Sequence, residues 1–159
     1  MNQENKNRIQ GHFEICRYEE VKTEFPKTEE VVLPKRSSLY SAGYDFTCPY
    51  SVDIKPGEEA IIPTFIKCLD MPHDKVLKIY VRSSIGIKRH LMLANGTGVI
   101  DSDYVWCIYV ALVNFGKETA HIDPGERFVQ GIFEDYYVLE EESEVTSNRT
   151  GGIGSSGKK

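Results

Sequence analysis

The sequence lacks any segment of convincing length with a helical period, any apolar run approaching membrane-spanning length, and any internal repeat. Helical bundles, βαβ folds, solenoids and transmembrane helices are therefore excluded as expectations. Excess basic charge is missing too. Nineteen Lys and Arg against 24 Asp and Glu leave a formal charge of −5, which provides no dense basic face for polymeric nucleic acid or an anionic membrane. An anionic small ligand must then meet positive charge placed locally. The four cysteines, Cys16, Cys48, Cys68 and Cys107, form no C-x-x-C pair and have no histidine at metal-ligand spacing. Zinc sites and disulfide frameworks give way to buried, reduced thiols in a soluble cytoplasmic protein. The polar start, with no apolar h-region, predicts no secretory leader.

What is present is a series of short β-prone segments cut by proline and glycine turns, in a length of 159 residues that suits one domain. Residues 1–11 are polar and predicted to fray. The spacing predicts a strand over 12–18, a charged connection over 21–38 interrupted by Pro26 and Pro34, and a strand end at Ser41-Ala42-Gly43-Tyr44-Asp45-Phe46. A turn at Lys55-Pro56-Gly57 leads into a β-rich run over 59–69, in which Pro63 argues against an interior position. Residues 76–81 form a strand by their branched and aromatic content, and 87–93 have room for one helical turn. Residues 105–113 are so uniformly apolar that both faces of a strand there should be covered, a subunit interface being one natural cover. Turns at Asn114-Phe115-Gly116 and Asp123-Pro124-Gly125-Glu126 precede a strand over 127–133, extended by 136–139. The expected fold is all-β, a sandwich or jelly roll.

One ten-residue stretch, Asn95-Gly96-Thr97-Gly98-Val99-Ile100-Asp101-Ser102-Asp103-Tyr104, gathers the chemistry of a pocket wall. Its glycines let main chain approach a ligand, its carboxamide can read a donor and acceptor edge, Asp101 can serve as a general base and Tyr104 can cover a ring or sugar face. The same residues also suit an ordinary β-hairpin turn. Other patches divide similarly. Asp45 fits a strand-end turn acid, Arg82-Ser83-Ser84 a strand terminus with an N-cap serine, Arg127 and Gln130 an edge strand, and Gly154-Ser155-Ser156-Gly157 a linker.

Order and spacing change the weighting. From about Ser37 to Gly157 the sequence resembles the trimeric dUTPase family, whose five motifs appear in succession. They are Ala42-Gly43-Tyr44-Asp45-Phe46, Arg82-Ser83-Ser84-Ile85-Gly86, Gly98-Val99-Ile100-Asp101-Ser102-Asp103-Tyr104, Gly125-Glu126-Arg127-Phe128-Val129-Gln130, and Arg149-Thr150-Gly151-Gly152-Ile153-Gly154-Ser155-Ser156-Gly157. The resemblance implies a jelly-roll-like β domain over 1–148, a flexible arm over 149–159, and a homotrimer with active sites shared between chains. It also implies hydrolysis of dUTP to dUMP and pyrophosphate with Mg²⁺ as cofactor.

By the same resemblance, Asp101 is the general base for the attacking water. Ser83 donates to the oxygen between the α- and β-phosphates, and Arg82, Ser84, Gly86, Arg127 and Gln130 line the phosphate chain. Asp45 holds Mg²⁺ through water. Asn95, Gly98 and the backbone at Val99 and Ile100 read uracil, and Tyr104 lies beneath the deoxyribose. Arg149, Ile153, Gly154, Ser155 and Ser156 close as a lid, with Arg149 on the γ-phosphate.

The sequence departs from the family pattern at Ile153, where the family usually has Phe, at Trp106, where it tends to have glycine, and around Phe128, Val129 and Gly131. Two rival readings stand beside the hydrolase. A dCTP deaminase needs a glutamate three residues before an Asn; counting back from Asn114 reaches Ala111. A non-catalytic trimeric nucleotide-binding or interaction module needs no acid at 101, yet Asp101, Arg82 and Ser83 are all present.

Overall fold

The computed structural model describes residues 8–21, 24–26, 28 and 30–152. Its strands are β1 (His12–Ile15), β2 (Lys35–Arg36), β3 (Tyr44–Thr47), β4 (Val52–Ile54), β5 (Glu59–Pro63), β6 (Ile66–Leu69), β7 (Lys75–Val81), β8 (Leu91–Leu93), β9 (Gly98–Ile100), β10 (Tyr109–Asn114), β11 (Ala120–Ile122) and β12 (Arg127–Asp135). They form a five-stranded sheet in the order β2-β3-β12-β7-β9, a three-stranded sheet β5-β10-β8, and the pairs β1-β6 and β11-β4. The pairings are antiparallel and mostly join strands distant in sequence, giving the jelly-roll-like architecture. The main core lies between the larger sheets. Phe46, Leu77, Ile79 and Phe128 from one side meet Ile62, Leu91, Val110 and Leu112 from the other.

Several elements depart from the sequence expectation for identifiable reasons. The strand expected over 12–18 ends at Ile15 and passes into a 3₁₀ turn at Tyr18–Glu20. The charged connection that follows is anchored: Val21 packs with Cys16, Phe65 and Cys107, and Phe25 and Val31 lie against that cluster. The Phe25 and Phe65 rings meet edge-on at 4.7 Å. Pro63 closes β5, an outer strand of its sheet, where its missing N–H costs no ladder bond. The helical turn falls at Ser84–Lys88, while Leu91–Leu93 is a strand.

Of the apolar run over 105–113, only Tyr109 onward is a strand. Val110, Leu112 and Asn114 point inward, whereas Tyr109, Ala111 and Val113 are only half-buried in the single chain. Beside them, Ile61 and Met92 are 54% and 44% exposed. The strand expected to continue over 136–139 stops at Asp135. All four cysteines are free and buried, as expected from their apolar settings.

Asn114 shows how a polar residue earns an interior position. Its amide nitrogen donates to Ile54 O (2.7 Å) and Glu118 O (2.8 Å), and its oxygen accepts from Gly116 N–H (2.8 Å). The β4–β11 pair is braced differently, by a cross-strand ion pair. His121 Nδ1 lies 2.7 Å from Asp53 and Nε2 lies 3.0 Å from Asp123. Hydrogen bonding to Asp53, and then to Asp123, raises the His121 pKa above the ordinary imidazole value. Because the folded state favours the charged ring, this brace is complete below the unfolded-state pKa and is lost as pH rises through the raised folded value. An NMR titration should find His121 titrating above about 6.5, with Asp53→Asn moving it back toward that value; an ordinary midpoint in the wild type would contradict the brace.

Candidate active site

Position on the central sheet sets the first group of site residues. Asp45 on β3 and Gln130 on β12 are register partners, and Arg82 follows the last residue of β7. The edge-strand explanation of Arg127 and Gln130 fails, because β12 lies inside the five-stranded sheet between β3 and β7. A shift in register between Arg127 and Val129 forms a bulge that re-aims Arg127. Phe128 and Val129 are fully buried, so the departures there serve packing.

Asp45 is the centre of this group. Its side chain is 6% exposed, with Oδ1 3.0 Å from Arg82 Nε and Oδ2 accepting from Arg127 Nη1 at 3.2 Å. Two guanidiniums against one carboxylate leave local positive charge in an acidic protein. Arg82 and Asp45 line a cavity of about 230 Å³ with Ser83, Gln130, Gly43, Ser37 and Ser41. Gly43 lies close against Gln130: a Cβ there would fall 2.4 Å from Gln130 Oε1 and 3.2 Å from its Cβ, so a larger residue would have to displace that side chain. Ser83 occupies the N-cap position of the turn yet makes no capping bond, so its hydroxyl is not consumed by the helix end. Both Ile85 N–H and Gly86 N–H donate to Arg82 O at 3.0 Å, which fixes the turn behind Ser83 and Ser84.

The described residues contain no cluster of three or more His, Cys, Asp or Glu able to enclose a metal. Asp45 nevertheless suits a metal held through water, because each of its oxygens accepts one arginine and keeps a second lone pair.

The second group surrounds the 95–104 stretch. A simple hairpin is excluded, because β8 pairs with β10 and β9 pairs with β7, so the turn crosses between sheets. Gly98 makes the crossing close: a Cβ there would fall 3.0 Å from Ile79 Cβ. Asn95 stands exposed in the turn, Val99 is exposed, and Ile100 is buried opposite Leu77. Tyr104 N–H donates to Asp101 O (3.0 Å), and the Tyr104 hydroxyl donates to Cys107 O (2.7 Å). Burial pushes the Tyr104 pKa up to about 12, so the phenol remains a neutral donor. Trp106 packs edge-on against this ring at 5.6 Å, which accounts for an indole where a glycine was expected.

The Asp101 side chain is 51% exposed and meets Arg149 Nη2 at 2.5 Å. Arg149 Nε also bonds Asp103 at 3.0 Å, and its guanidinium carbon lies 5.7 Å from the Tyr104 ring centroid. The bond to Asp103, followed by the attraction of both acids, raises the Arg149 pKa. Ile153, Gly154, Ser155 and Ser156 lie outside the described residues.

One chain thus brings Asp45, Arg82, Ser83, Arg127 and Gln130 into one group and Asp101, Tyr104 and Arg149 into another. The groups are separated along β7. Ile100 pairs with Leu77, so Asp101 falls level with Val76, six residues from Arg82, or roughly 20 Å along a strand. Sequence reasoning gave no role to Gly43, Ser37, Ser41 or Asp103. The serines left a weak signal as a cluster just before Ala42, and Asp103 left one as the second acid of its motif.

An all-β subunit that presents converging arginines, hydroxyls and a carboxamide around one buried acid belongs to the class of proteins built to bind a phosphate-bearing ligand. The family model for dUTPase matches residues 29–157, and the chain belongs to the dUTPase family. It is 40% identical over 145 residues to the deoxyuridine 5'-triphosphate nucleotidohydrolase of Lactococcus lactis, an alignment covering 87% of this chain and 95% of that one. Its identity to the mouse (Mus musculus) enzyme of the same name is 37%, covering 82% of each chain. The crystal structure of dUTPase from Streptococcus mutans superposes with a TM-score of 0.68 at 32% identity, over 81% of this chain and 98% of that one.

Replacing Asp45 by Ala leaves two guanidiniums facing each other without their shared carboxylate. The expected loss, discounted for the partial exposure of both arginines, is about 2 kcal/mol of unfolding free energy by urea denaturation. An unchanged midpoint would show that the two ion pairs contribute nothing.

Proposed function

We propose that this chain hydrolyses dUTP to dUMP and pyrophosphate at sites shared between chains of a homotrimer acting in the cytoplasm. The observation that carries the reading is the pair of arginines held by Asp45 beside Ser83 and Gln130. Together they supply cations and donors where a triphosphate of about four negative charges needs them.

In this reading, water attacks the α-phosphorus while Asp101 accepts its proton. A P–O bond forms to the water oxygen, the bond to the α–β bridging oxygen breaks, and that oxygen departs with the pyrophosphate. Ser83 donates to the bridging oxygen as charge builds there. Arg82, Arg127, Ser84, Gly86 and Gln130 hold the remaining phosphate oxygens. Mg²⁺ supplies charge neutralisation when bound to the phosphates, and Asp45 would hold it through water. Asn95, Gly98 and the backbone of Val99 and Ile100 offer bonds matched to uracil, which cytosine leaves unpaired. Tyr104, with its hydroxyl tied to Cys107 O, sets a rigid floor under the deoxyribose and leaves no room for a 2′-hydroxyl.

The roughly 20 Å between Asp101 and Arg82 on one chain supports sharing, because Asp101 and Ser83 must both reach a single α-phosphate. The half-exposed apolar face made by Ile61, Met92 and alternate β10 residues supplies a surface for the neighbouring copies. The 149–159 arm is the lid: Arg149, which bonds Asp101 and Asp103 here, would exchange them for the γ-phosphate when Ile153, Gly154, Ser155 and Ser156 close over the nucleotide.

An assay with dUTP, dCTP, dTTP and UTP in the presence of Mg²⁺ should release pyrophosphate from dUTP alone. Asp101→Asn should lower kcat by about 100-fold or more while dUTP still binds. Ammonia release from dCTP would instead establish a deaminase, and near wild-type turnover by Asp101→Asn would remove the base.

A further inference from the structure

We infer that Arg89 and Glu126 form a positioning pair that holds the phosphate-binding turn at its working distance from β12; the inference rests on the proposed nucleotide site. Arg89 ends the turn that begins at Ser84. It grips Glu126 with both arms of the guanidinium: Nη1 donates to Oε2 at 2.8 Å and Nη2 lies 2.6 Å from Oε1. Nη1 also donates to His121 O. The two side chains are only 32% and 24% exposed, so the pair is shielded more than a surface contact. Two-point geometry of this kind belongs to arginine and is lost with lysine.

Glu126 is a fixed post for this grip. Its Oε2 accepts from Asp123 N–H (3.0 Å), its own N–H donates to Asp123 O (3.1 Å), and its carbonyl accepts from Cys48 N–H (2.8 Å) just beyond β3. The other end of the segment is fastened too, where Arg82 N–H donates to Phe128 O (3.1 Å) at the β12 bulge. Residues 82–89, carrying Ser83, Ser84 and Gly86, are therefore pinned at both ends to the strand start that carries Arg127. Neither Arg89 nor Glu126 lines the cavity. They act through their neighbours, setting how far the Ser83 hydroxyl stands from the Arg127 guanidinium. Serial donors on a triphosphate tolerate little error, since a displacement of about 1 Å can cost about 100-fold in rate.

The test uses Arg89→Gln, Glu126→Gln and the double variant, with two probes measured by calorimetry: inorganic triphosphate for the phosphate end, and deoxyuridine for the base and sugar end. Each single change should weaken triphosphate binding and lower kcat/KM for dUTP by about tenfold or more, with deoxyuridine affinity held within about twofold. The double variant should be no worse than the poorer single one, as for residues acting as a unit. Arg89→Lys, which keeps the charge and loses the fork, should fall between wild type and Arg89→Gln, and it stands in should the glutamine variants fail to fold.

Triphosphate affinity within about twofold of wild type in both single variants, equal losses for the two probes, or additive losses in the double variant would each overturn the pair. A wild-type chain that binds triphosphate but releases no pyrophosphate would overturn the proposed hydrolysis, and the positioning pair would still be decided by the binding ratios.

Discussion

A nearly buried carboxylate held between two arginines fixes the working end of this molecule. The Asp45 side chain is only 6% exposed, where an unpaired charge would be costly; Arg82 and Arg127 offset that penalty. In doing so they join the ends of β7 and β12 to the middle of β3, three adjacent strands of the central sheet. The acid overcompensates neither arginine, so a net positive patch remains in a chain of formal charge −5. In the proposed reading, structure and binding therefore draw on the same ion pairs.

The same arrangement keeps the two groups of site residues apart on one chain. The sheet that gathers the arginines sends Asp101 to the opposite end of β7, and a strand is too stiff to bring the two together. In the proposed reading a neighbouring copy reunites them, and the open apolar face of the β5-β10-β8 sheet offers a surface on which copies can meet. Rigidity within a subunit and the proposed completion between subunits would both follow from one topology.

Much of this was legible in the sequence. Turn residues at Lys55-Pro56-Gly57 and Asp123-Pro124-Gly125-Glu126 marked real reversals, and the strand over Lys75–Val81 was visible in its branched content. The motif residues were visible as chemistry. Their grouping was not, because periodicity carries no information on which strands pair. Arg127 read equally well as an edge residue until β12 was found between β3 and β7. Uniformly apolar composition over 105–113 concealed the alternation of β10, since leucine and valine suit a buried face and an interface alike. The Trp106 indole made sense only once the Tyr104 ring was found beside it. The grip of Arg89 on Glu126 joins residues 37 positions apart and left no local trace.

The central claim, that catalysis needs the Asp101 of one chain and the Ser83 of another, is tested most directly by mixing two inactive proteins. Asp101→Asn and Ser83→Ala chains, unfolded together in equal amounts and refolded, should regain about a quarter of wild-type pyrophosphate release, because chance pairs an intact Asp101 with an intact Ser83 at about that fraction of shared sites. A mixture that refolds into oligomers yet stays as inactive as its components would contradict the account.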